Sequence, residues 1–179
     1  VSLLGSELLF TRVAKVAFGQ GFQFILISLA ILGIGIGAML VYFFINSKKY
    51  KEKLNEIFIG RAIFVSSLLY TILIFMPFFI VDNAIIDFEG AYTYLKTELL
   101  FVKVSFFFAT FVSYLVWGIC ISFIFSHYSK LISSLYFSNL TGSAFGGFTT
   151  LVLLNALGVP KTLLLIYIIS VIAVIIFSF

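Results

Sequence analysis

The stretch from Phe22 to Ile45, FQFILISLAILGIGIGAMLVYFFI, contains no charged residue. It exceeds the roughly 20 apolar residues that carry a helix across a bilayer. In lipid every backbone N–H and C=O must be bonded within the segment, which excludes an open strand. This stretch therefore reads as a membrane-spanning helix. Five further apolar runs surround it, at about 1–18, 57–81, 99–125, 135–157 and 162–179. Glu7, Arg12 and Lys15 interrupt the first run. Arg61 and Pro77 stand near the two ends of the 57–81 run, and Lys103 near the start of the next.

Composition agrees with that reading. The chain is 63% hydrophobic and only 10% charged, and its mean hydropathy is +1.24. A soluble domain carries roughly 25% charged residues, so lipid must solvate this surface. The expected fold is all-α: an integral membrane bundle of about six transmembrane helices, forming one domain over 1–179. The chain opens at Val1, already apolar and with no pattern of a cleaved signal peptide. It reads as an excerpt of a longer protein that lacks part of its first helix.

Loop charges set the expected orientation. Residues 46–56 hold Lys48, Lys49, Lys51 and Lys53 against Glu52 and Glu56, and residues 126–134 hold His127 and Lys130 without an acid. Residues 82–98 carry Asp82, Asp87, Glu89 and Glu98 against Lys96. Lys and Arg in short loops mark the cytoplasmic side, which places both termini in the cytoplasm. The net charge of +4 thus reflects topology; no basic stripe with interleaved aromatics marks a nucleic-acid surface. Gly158-Val159-Pro160 reads as a helix stop and a helix start. Three helices per half would put any internal repeat in inverted orientation. Gly33 and Gly37 in the second run match Gly142 and Gly146 in the fifth, a hint of two three-helix inverted halves.

The run GIGIGA, Gly33 to Ala38, lies inside an uncharged span, where a phosphate-cradling loop has no place. Glycines one turn apart let another helix approach closely, so Gly33, Gly37, Gly142 and Gly146 are read as helix-packing positions. Cys120 is the single cysteine and His127 the single histidine. Neither has companions for a metal site, and no cofactor is implied. There is no catalytic triad and no carboxylate pair at catalytic spacing, so the chain itself shows no catalytic constellation.

Glu7 and Arg12 are the sharpest features, because ionisable groups inside a span are costly and usually paired or functional. Five residues apart, they project about 140° from each other on an ideal helix. Two readings stand: the pair lines an internal polar cavity, or the side chains reach the membrane edge. Asn139 and Asn155 are read as hydrogen bonding across helices, and as ligand-binding candidates beside Glu7 and Arg12.

Two stretches carry a resemblance. ELLFTRVAKVAFGQGFQFILISLAILGIGIGAML, Glu7 to Leu40, resembles the start of the membrane domain of prokaryotic spermidine synthase-like proteins. In that family a Glu and an Arg five residues apart end the first helix, and a Gly-rich run ends the second. LYFSNLTGSAFGGFTTLVLLNALGVPKTLL, Leu135 to Leu164, resembles the family's fifth and sixth helices. Asn139 departs from the pattern, standing where the family has an acid. The resemblance implies a domain anchoring a cytoplasmic aminopropyltransferase domain of Rossmann-like methyltransferase fold, expected beyond Phe179. It also implies contact with polyamines or other organic cations, passed to or from that enzyme domain, in a prokaryotic cytoplasmic membrane. The competing expectations are a small transporter component for a cationic or amphipathic solute, and a structural subunit without a ligand.

Overall fold

The computed structural model describes residues 2–19, 21–47, 56–80 and 95–178, and among these it contains helices and turns without a strand. The helices are α1 (Ser2–Phe18), α2 (Phe22–Asn46), α3 (Glu56–Leu73), α4 (Leu95–His127) and α5 (Ile132–Ser178), with one turn of 3₁₀ helix, Ser129–Leu131, before α5. Four helical stretches are long and apolar enough to cross a membrane: Phe22–Asn46, Phe58–Ile80, Leu100–His127 and Ser129–Ile176. The protein is an all-α membrane bundle. α1, with 17 residues and three ionisable side chains, is the least apolar helix, yet Leu9, Phe10 and Ala14 are buried in the core.

α5 is two helices joined at Gly158, whose φ of 76° and ψ of 178° only glycine adopts readily. Pro160 follows in the first turn of the second segment, where its missing N–H costs nothing. The Thr162 hydroxyl donates to the Gly158 carbonyl at 2.7 Å. Gly5 lies against both Thr150 and Ile166, so the chain doubles back at this break. The turn expected at 158–160 is present.

α3 shows a second proline effect. Helical hydrogen bonding gives way to turns at Ile74 and Phe75, and 76–80 is helical again. Pro77 has no N–H for the Leu73 carbonyl. That carbonyl instead accepts the Ser113 hydroxyl of α4 at 3.0 Å, which satisfies in lipid what proline left open.

The helices alternate in direction. Ser6 meets Tyr114 and Phe10 meets Phe106, so α1 runs against α4. α3 also runs against α4, with Cys120 on the Ile63 carbonyl and Ser113 on that of Leu73. α2 runs with α4: Gly33 lies on Phe111, and Phe44 on Phe123. The first segment of α5 runs with α1, through Leu4 on Gly147 and Arg12 on Asn155. The bundle closes as a ring in which α1 touches α2 and α5, α4 touches α2 and α3, and α3 touches α5. Helix ends differ modestly from the sequence reading: α4 begins four residues before Leu99, and α5 begins three before Leu135.

Candidate functional site

The polar interior is built on hydroxyls. Ser6, Tyr70 and Tyr114 are all buried, although they lie on three different helices. The Ser6 Oγ is 3.2 Å from the Tyr70 hydroxyl and 3.4 Å from the Tyr114 hydroxyl. Other buried hydroxyls satisfy themselves on their own helix. Thr110 donates to Phe106 and Ser170 to Ile166, each four residues back. Such bonds let a helix carry polar side chains through lipid at little cost. Tyr70 packs on Trp117 with ring centroids 4.8 Å apart. The Trp117 Nε1 is buried without a hydrogen-bond partner among the described residues. Trp117, Tyr70, Thr71 and Ser170 line a cavity of about 150 Å³ between α3, α4 and the second segment of α5.

Glu7 follows Ser6 and lies level with these tyrosines. It is half-buried and makes no hydrogen bond or ion pair with a described residue. Thr11, four residues on, turns its hydroxyl to the Leu8 carbonyl at 2.9 Å rather than to the carboxylate.

Arg12 and Asn155 come together across two helices. The Arg12 Nη1 donates to Asn155 Oδ1 at 3.3 Å. Both residues are exposed, so Arg12 does not enter an internal cavity. The wide angle from Glu7 turns Arg12 outward, toward the end of the first segment of α5. Asn155, read as hydrogen bonding across helices, does so by accepting from Arg12. Asn139 is half-buried two turns before Gly147 and hydrogen bonds with no described residue. The four residues singled out from sequence therefore form one pair and two separate groups.

The glycines behave more uniformly. Gly33 and Gly37 are buried against the backbone of α4. Gly146 is buried and Gly142 half-buried on α5. Lys103, near the start of the fourth apolar run, is half-buried. Its Nζ sits 4.6 Å from the Phe22 ring centroid and 5.9 Å from that of Phe18, a cation–π position.

No three His, Cys, Asp or Glu residues gather to hold a metal among the described residues. The sequence matches no known family model, and no curated protein or solved structure matches it significantly.

Proposed function

We propose that this chain is the membrane domain of a polyamine-handling protein, holding an organic cation at Glu7. In the reading implied by the resemblance to spermidine synthase-like proteins, it anchors a cytoplasmic aminopropyltransferase-like domain of the same polypeptide and exchanges substrate or product with it. One observation carries the cation site: Glu7 is a half-buried carboxylate at the level of Ser6, Tyr70 and Tyr114, without a basic partner among the described residues. An ionisable group in a span marks a functional site by default. An alkylammonium would supply the missing charge, with neighbouring hydroxyls as acceptors for its N–H groups. The lysines between α2 and α3 support an orientation with both ends in the cytoplasm, the side on which such an enzyme domain would dock.

Spermidine binding to the purified domain tests this reading. Wild-type protein should bind spermidine saturably, and Glu7→Gln should lose about tenfold or more in affinity, as expected when one charge-assisted contact is removed. Absence of wild-type binding at millimolar spermidine would leave an anchor without a ligand.

A transporter component is the second reading. Its support is the exchange of middle helices between halves: α2 packs on α4, and the first segment of α5 packs on α1. Inverted halves of this kind build many secondary transporters. Spermidine uptake into proteoliposomes, lost in Glu7→Gln, would favour it over the anchor.

A further inference from the structure

Three hydroxyls that line the cavity between α3, α4 and the second segment of α5 have already committed their protons. Ser67 donates to the Phe64 carbonyl at 2.8 Å, Thr71 to that of Ser67 at 2.9 Å, and Ser170 to that of Ile166 at 3.0 Å. The Cys120 thiol is directed to the Ile63 carbonyl, 3.8 Å away. A hydroxyl oxygen that donates can still accept, so these side chains offer lone pairs to the cavity.

Trp117 is their converse. Its indole N–H can only donate, and the Nε1 is buried without a hydrogen-bond partner among the described residues. The ring is held in place against Tyr70. A buried donor without an acceptor bears its full desolvation cost, so the cavity lacks one oxygen. The rest of the wall is largely apolar, with Ile63, Ile124 and Val174 among its residues. No Asp, Glu, Lys, Arg or His lines it. An ammonium would meet no carboxylate here, and a phosphate would find a single N–H. The fitting guest is neutral, with one oxygen that both accepts and donates on a small hydrocarbon body. The volume, about 150 Å³, is one at which an apolar cavity in another protein takes up benzene.

We propose that this cavity is a binding site for a small neutral alcohol. The alcohol oxygen accepts from the Trp117 Nε1, and its proton goes to the Thr71 or Ser170 hydroxyl oxygen. Its carbon chain packs on Ile63, Ile124 and Val174. Water carries the same hydroxyl chemistry but leaves that apolar wall uncovered. Thr71 and Trp117 each lie in the middle third of a membrane span, a depth that solutes soluble in lipid can reach. The site is separate from Glu7, whose proposed guest is a cation.

Trp117 is the only tryptophan of the chain, so indole labelling with ¹⁵N gives a single Nε1–H signal by nuclear magnetic resonance. The full chain in detergent would be titrated with 1-butanol and, separately, with 1-chlorobutane, which has a similar shape without the hydroxyl. Butanol should shift the signal saturably at millimolar concentration. Chlorobutane should bind about fivefold more weakly or worse, the scale of one neutral hydrogen bond. Ala173→Leu, which fills the cavity, should abolish the saturable shift; if that variant fails to fold, Val174→Phe takes its place. Absence of a saturable shift in wild-type protein, equal binding of the two probes, or an unchanged titration in a folded cavity-filled variant would each overturn the proposal. So would an Nε1–H signal that shows magnetisation transfer from water and that butanol leaves unmoved, because the acceptor would then be water.

Discussion

The seam between α2 and α4 and the seam between α1 and α5 both rely on glycine, yet they use it differently. At the first seam backbone meets backbone. A Cβ on Gly37 would run into the Leu115 carbonyl oxygen and stand 2.8 Å from the Ile119 nitrogen. A Cβ on Gly33 would lie 2.9 Å from the Phe111 carbonyl oxygen, and one on Gly118 would lie 2.5 Å from that of Ile34. The contact is thus mutual, with glycines on both helices. At the second seam glycine meets side chains. A Cβ on Gly5 would approach Thr150 Oγ1 at 2.6 Å, and one on Gly147 would approach Leu4 Cδ2 at 2.6 Å. Backbone cannot yield without moving a whole helix, whereas a leucine can change rotamer. Hydrocarbon offers no hydrophobic drive for helices to associate, so close packing of this kind carries much of the association. The α2–α4 seam should therefore tolerate substitution least.

The largest effect is expected at Gly37. Gly37→Leu should prevent α2 from seating on α4 and cost more than the ~3 kcal/mol of ordinary overpacking. Loss of a folded monodisperse species in detergent would be the readout, and a wild-type melting temperature would break the comparison. Gly118→Ala, on the other side of the same seam, should cost about 2 kcal/mol by thermal unfolding. Gly147→Ala should fall within about 1 kcal/mol of wild type, because the helix propensity gained by alanine offsets displacement of the Leu4 tip. The sharpest control is Gly35. It belongs to the same GIGIGA run but is exposed, with open space where a Cβ would stand. Gly35→Ala should stabilise α2 by about 0.5–1 kcal/mol, opposite in sign to Gly37→Ala. If Gly35→Ala and Gly37→Ala shift the melting temperature alike, the glycine run is not read by contact.

These contrasts also mark how far the sequence was legible. The spans were readable because hydropathy is a local property, and α2, wholly uncharged, left no alternative to a helix. The break at Gly158 was readable because glycine and proline punctuate at fixed offsets. Gly33 and Gly37 announced their face by spacing. Gly118 did not, since it is a lone glycine between Trp117 and Ile119, with only Ser122 as a small residue one turn away. Gly5 was equally silent. The hydroxyl cluster was hidden for a different reason. Ser6 stands 64 residues from Tyr70 and 108 from Tyr114, and neither tyrosine differs locally from the other aromatics of an aromatic-rich chain. Glu7 and Arg12 stood out as costly groups, but cost does not give direction. The pairing of Arg12 with Asn155 on an exposed edge depends on α5 running alongside α1, which sequence spacing does not encode.

The chain should cross the membrane in alternating passes, with the lysine-rich connection on one side and the acidic one on the other. Cysteine labelling in intact cells measures this. In a Cys120→Ser background, Lys51→Cys and Glu89→Cys would each be treated with a membrane-impermeant maleimide, before and after permeabilisation. Position 89 should label in intact cells, and position 51 only once the membrane is opened. Labelling of both positions in intact cells, or of position 51 alone, would contradict this topology.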